Sequence, residues 1–142
     1  IEAIKEFKKP YLIGIHISKG TKLPSGEKIS EIRSILDHNV LGVMLSCVSP
    51  ESYDLNLEEL KMLNVPFGFK LNGFVTTKPK NGYTANYLKT KGNPNEFLGQ
   101  RTDFTPDKIH KIAKKFKEHG ATIIGGCCET RPSHIEAMAK LK

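Results

Sequence analysis

Four short apolar runs, each followed by a stretch whose apolar residues recur at helical spacing, constrain this chain more than any other feature. PYLIGIHIS (10–18) reads as a strand, with Ile13, Ile15 and Ile17 alternating with smaller or polar neighbours and Pro10 at its start. EKISEIRSILDHN (27–39) carries Ile29, Ile32, Ile35 and Leu36 at the spacing of a helix. VLGVMLS (40–46) is almost continuously apolar, as expected of a strand covered on both faces. SPESYDLNLEELKMLN (49–64) predicts a helix ending near Asn64, and VPFGFKL (65–71) predicts the third strand. TPDKIHKIAKKFKEHG (105–120) is the clearest helix. Thr105 suits the N-cap, Pro106 the first turn and Asp107 the positive helix terminus, and Gly120 supplies a left-handed C-terminal residue. ATIIG (121–125) is the last strand, and Thr130 or Ser133 is expected to cap a final helix.

Alternating strand and helix units imply a parallel sheet with helices packed on it. Residues 1–8 predict an additional helical stub. The segment 72–104, rich in Gly, Asn, Lys and Pro, is too long for a bare connector and is expected to be a functional loop. No charge run or linker divides the 142 residues, so residues 1–142 are expected to form a single domain. Two architectures accommodate four units: a small open sheet, or part of a closed eight-unit barrel. In both, chemistry is placed on loops leaving the C-terminal ends of the strands.

All three cysteines lie at such ends. Cys47 follows the second apolar run, and Cys127 and Cys128 follow the fourth, directly after Gly125 and Gly126. Neighbouring residues of a regular strand point to opposite faces, so adjacent cysteines can share a target only where the strand has ended. The two glycines are expected to permit the sharp turn this needs. Zinc favours thiolates, and a catalytic zinc site has three protein ligands and an open fourth position. The alternatives are a buried apolar role for Cys47, a disulfide from it to one of the pair, or a redox switch at the vicinal pair. An odd and sparse cysteine count argues against a disulfide-stapled secreted domain, and a reducing cytoplasm is the expected home.

Charge adds little. The excess of +7 comes from 22 Lys+Arg against 15 Asp+Glu, but only three of the basic residues are Arg and there is no Trp. A Lys-rich solvated surface accounts for this better than nucleic-acid binding. No run of about 18 apolar residues would span a membrane, and no signal-peptide pattern precedes the first strand. The chain opens on Ile1 rather than Met, as expected after processing or of a piece of something longer.

IIGGCCETRPSHIEAMA (123–139) resembles the C-terminal signature of the homocysteine S-methyltransferase family, in which a GGCC turn closes a (β/α)8 barrel. LGVMLSCVSPE resembles that family's other zinc-ligand strand, G-x-N-C-T-x-P-E. TPDKIHKIAKKFKEHGATIIGGCC resembles the helix leading into its last strand, and LPSGEKISE the loop and helix after its fifth. The resemblance implies a partial TIM barrel: the four C-terminal βα units, the fifth to the eighth, with an N-terminal half-barrel missing. It implies Zn2+ held by Cys47, Cys127 and Cys128, and a substrate contact at Asn72, in KLNG. The implied reaction moves a methyl group from an activated donor of the S-methylmethionine, betaine or S-adenosylmethionine type to the thiol of homocysteine, giving methionine. The alternative is a non-catalytic zinc- or thiol-binding remnant of such an enzyme.

Two residues depart from the family pattern. Ser46 stands where an Asn usually precedes the first cysteine, and Glu129 where a small residue usually follows the pair. Ligands are retained, but the contacts that tune them are expected to differ. His16 falls near the end of the first strand, where a packed or solvated role is expected. His134 is expected to be structural. Tyr83 and Tyr87 are candidates for a donor contact, and Arg131 for a carboxylate.

Overall fold

The computed structural model describes residues 4, 6, 8–17, 20–77 and 98–142. Four parallel strands form one sheet in the order β1 (Tyr11–Ile15), β2 (Val40–Val48), β3 (Phe67–Leu71) and β4 (Ile123–Gly126). Each strand therefore lies beside its neighbour in sequence, with no reversal. A doubly wound sheet reverses its order at a switch point, whereas a barrel does not. The arrangement is that of an arc of a (β/α)8 barrel, an α/β fold.

The helices are α1 (Pro50–Leu55), α2 (Leu57–Lys61), α3 (Pro106–Glu118) and α4 (Pro132–Ala139). The core between sheet and helices is apolar and tightly filled. Val43 and Leu45 of β2, Phe69 and Leu71 of β3, Tyr53 of α1 and Phe116 of α3 are all buried. Tyr53, Phe69 and Phe116 form a triangle of tilted and edge-to-face rings with centroids 4.5–5.5 Å apart, which ties β3, α1 and α3 together.

α3 follows its sequence closely. The Thr105 hydroxyl accepts from the Lys108 N–H at 3.3 Å, Ile109, Ala113 and Phe116 are buried, and Gly120 sits at φ +103°. Three elements differ from expectation. Residues Ile29–Ile35 form a 3-10 helix, without a side-chain cap at Lys28. Ile29, Ile32 and Ile35 recur every third residue, which is the period of the tighter helix. The expected helix over 49–64 is interrupted at Asn56, whose side-chain amide donates to the Ser52 carbonyl at 2.8 Å and the Gly20 carbonyl at 3.0 Å. An Asn that satisfies backbone groups with its own side chain competes with the helix. The cap of α4 is Arg131, not Thr130 or Ser133, and the His134 ring accepts the Arg131 N–H at 2.9 Å through Nδ1. The stub expected over 1–8 falls largely outside the described residues.

Candidate metal centre

Cys47 lies within β2 rather than after it. The β2–β3 register shifts between Ser46 and Val48, leaving Cys47 as the extra residue of a bulge with φ +56°. A bulge re-aims one side chain without ending the strand, and here the side chain it turns is the thiol. Cys127 directly follows β4, where its N–H donates to the Leu71 carbonyl at 2.7 Å. The turn then closes tightly, with the Thr130 N–H and hydroxyl both donating to the Cys127 carbonyl. The left-handed residue of this turn is Glu129, at φ +58°, not either glycine. Gly126 is instead required for space, because a methyl group there would overlap the Thr130 side chain. Glu129 thus occupies a conformation that suits a smaller residue.

The sulfurs converge. Cys47 Sγ lies 3.9 Å from Cys128 Sγ, Cys127 Sγ lies 4.0 Å from Cys128 Sγ, and all three fall within 4.8 Å of one another. Thiolates around one tetrahedral zinc, at about 2.3 Å from the ion, would stand roughly 3.8 Å apart. The donor set therefore fits such an ion in number, chemistry and spacing. A disulfide would need sulfurs about 2.05 Å apart, and all three cysteines are free. Each is half-buried. Burial first, then the charge of Cys127, pushes the Cys47 thiol up to about 12, and burial and Cys127 likewise raise Cys128. Without a cation, Cys47 and Cys128 favour protonated sulfur.

Asn72 is fully buried and braces this arrangement. Its Nδ2 donates to the Cys47 carbonyl at 2.6 Å and lies 3.7 Å from Cys47 Sγ, while its Oδ1 accepts the Phe74 N–H at 3.1 Å. The next residue reaches the other turn, with the Gly73 N–H donating to the Cys128 carbonyl at 2.9 Å. The end of β3 thus holds both the Cys47 bulge and the turn that bears Cys127 and Cys128.

The family profile described as homocysteine S-methyltransferase matches residues 1–141. The chain belongs to this family. Among relatives named as homocysteine S-methyltransferase 1, that of Saccharomyces cerevisiae is 30% identical over 139 residues, covering 92% of this chain and 39% of the relative. That of Arabidopsis thaliana is 26% identical over 123 residues, covering 85% and 34%. The selenocysteine methyltransferase of Astragalus bisulcatus is 27% identical over 125 residues, covering 86% and 33%. The chain spans between 33% and 39% of the length of these relatives.

The other candidate residues of this homocysteine S-methyltransferase family chain are dispersed. His16 is exposed and donates from Nδ1 to the Ser46 carbonyl at 3.2 Å, beside the bulge. Ser46 rests its hydroxyl over Gly14, where a Cβ would lie 2.8 Å from it. His134 is buried, bonded through Nε2 to the Phe104 carbonyl at 2.7 Å and stacked on the Phe104 ring. Arg131 is exposed, one residue from the turn. Tyr83 and Tyr87 lie outside the described residues. Sequence reading missed Glu51 and Arg101, whose ion pair at 2.8 Å joins positions fifty apart. No local pattern signals such a pair.

Proposed function

We propose that Cys47, Cys127 and Cys128 hold a catalytic Zn2+, and that the chain is the metal-bearing half of a barrel that methylates homocysteine to methionine. The observation that carries this reading is the convergence of three sulfurs from two strand ends at the spacing of a tetrahedral site. When bound, the ion supplies the field that keeps a fourth thiol in its deprotonated, nucleophilic form at neutral pH. The chain's own residues fix where that chemistry happens. The β2 bulge aims Cys47, the turn after β4 aims Cys127 and Cys128, and Asn72 locks the first to β3. Asn72 would also touch the substrate if its Nδ2 exchanged the long contact to Cys47 Sγ for one to the incoming molecule. The donor would be an activated onium compound of the S-methylmethionine, betaine or S-adenosylmethionine type, its methyl carbon held in line with the homocysteine sulfur.

The cradle for the rest of homocysteine belongs, in this reading, to an N-terminal half-barrel completing the sheet beyond β1 and β4. Among the described residues, β1 and β4 are the outermost strands of the sheet. Beside β4 lies a groove of about 580 Å3 whose lining includes Ile124, Ile135, Met138 and Leu141, a surface suited to a further βα unit. The test is a methyl-transfer assay on reduced, zinc-loaded chain with each donor and homocysteine, with and without an N-terminal half-barrel from a family relative. Methionine is expected with the complementing half. Zinc binding with no turnover in either case would point to the remnant, and failure of the reduced chain to bind zinc would overturn the reading.

A pH dependence follows. Metal uptake must displace the protons that burial holds on Cys47 and Cys128. Zinc affinity is therefore expected to rise with pH by at least about two log units per unit between roughly pH 6 and 8. Competition titrations against a chromophoric chelator at fixed ionic strength measure the slope, and a slope near zero would show that the ion is not held by these thiols. In the metal-free chain the sign reverses. A thiol whose folded pKa is raised contributes stability that is fully present below the ordinary thiol range and lost as pH rises from there through the folded value, about 12 for Cys47.

A further inference from the structure

We infer that Arg101 is a positioning residue for the metal centre, clasping the Cys47 side of the cluster to the Cys127–Cys128 side; this rests on the proposed metal reading. Its main chain reaches one turn. The Arg101 N–H donates to the Gly73 carbonyl at 2.8 Å, and the same glycine's N–H donates to the Cys128 carbonyl at 2.9 Å. Its side chain reaches the helix that follows Cys47. Nη1 donates to Glu51 Oε2 at 2.8 Å, and Glu51 sits in the first turn of α1, four residues after Cys47.

The guanidinium is held rather than free. Nε and Nη2 fork onto the two carboxylate oxygens of Asp103 at 3.0 Å each, the guanidinium carbon Cζ lies 5.9 Å from the Phe104 ring centre, and only 15% of the side chain is exposed. Bidentate pairing combined with packing fixes geometry in a way that a flexible surface lysine cannot. Phe104 carries the connection further, since its ring stacks on His134 and its carbonyl accepts the His134 Nε2–H, behind the cysteine turn. The clasp also sits beside a short pairing in which the Val75 and Thr76 N–H groups donate to the Gly99 and Leu98 carbonyls at 2.9 and 3.1 Å.

Asn72 already bonds the Cys47 bulge from the end of β3, so Arg101 is a second brace, and its loss should loosen the cluster without dissolving it. A useful contrast is Asp54, also on α1, which pairs with Lys115 of α3 at 2.9 Å rather than with Arg101. The experiment measures Zn2+ affinity by chelator competition, the sulfur-to-metal charge-transfer band with Co2+, and the thermal midpoint of the metal-free chain. It compares the parent with Arg101→Ala, Glu51→Gln and Asp54→Asn. Arg101→Ala and Glu51→Gln are each expected to bind zinc about 10-fold more weakly at unchanged stoichiometry, as loss of a group that orients a ligand does, with an altered Co2+ band. Asp54→Asn is expected to match the parent in both. Glu51→Gln keeps the side chain's shape, so it reports on the clasp even if Arg101→Ala fails to fold. Affinities of both clasp variants within about twofold of the parent would overturn the inference while leaving the metal reading intact. A parent that binds no zinc would sink the reading itself.

Discussion

Cys47→Ser is expected to lower zinc affinity by on the order of 100-fold or more, while the metal-free chain remains folded. Loss of a residue that merely orients a ligand costs about 10–100-fold, so removing one of three direct ligands should reach or pass the top of that range. Serine is the stringent choice because it preserves the side chain's shape and changes only its chemistry. A hydroxyl stays protonated at neutral pH and is a poor partner for an ion that favours thiolate. The fold should tolerate the exchange. Cys47 is half-buried, its carbonyl would still accept from Asn72, and its bulge is set by the β2–β3 register rather than by sulfur. Cys127→Ser and Cys128→Ser should behave alike. Chelator competition on reduced protein gives the affinity, and circular dichroism with a thermal melt establishes folding. Retention of parental affinity by any one variant would remove that sulfur from the ligand set.

The parts of this molecule that could be read from sequence are those whose causes are local. α3 has a cap, an early proline, an apolar stripe and a closing glycine within sixteen residues, and each does what its chemistry predicts. The strands announce themselves by apolar runs, and the end of β4 by the vicinal cysteines. What could not be read depends on partners distant in the chain. Cys47 was expected beyond its strand because nothing in LSCVSP marks a bulge, which exists only through the shifted pairing with β3. Asn56 breaks a helix partly through Gly20, thirty-six residues away. The Gly125–Gly126 pair was expected to supply a turn. In the folded chain the turn's strained residue is Glu129, and Gly126 makes room for Thr130. The strand order, which separates a barrel arc from an open doubly wound sheet, is likewise a property of the assembled sheet and not of any segment.

The β3–β4 seam carries the largest stability prediction. Gly68 pairs with Ile123 across it, and a methyl group at Gly68 would overlap the Ile123 carbonyl oxygen. That obstacle is backbone, with no rotamer to yield, so β4 must move away from β3. The bonds that hold the seam would stretch with it, among them Thr122 N–H to the Phe67 carbonyl at 2.9 Å and Cys127 N–H to the Leu71 carbonyl at 2.7 Å. Overpacking a filled site costs typically 1–3 kcal/mol, and a clash with main chain belongs at or above the top of that range, so Gly68→Ala is expected to cost about 3 kcal/mol or more. Against a domain stability of roughly 5–15 kcal/mol, this is a large fraction. It should also weaken zinc binding, because Cys127 and Cys128 travel with β4 whereas Cys47 stays with β2. Gly125→Ala is the matched control, for its added methyl would meet nothing closer than Lys70 Cγ and the Phe69 carbonyl at 3.6 Å, an ordinary contact. Denaturant melts of the two metal-free variants should therefore separate widely, with Gly125→Ala within about 1 kcal/mol of the parent. Coincident melts would mean that β3 and β4 do not approach as closely as the cysteine cluster requires.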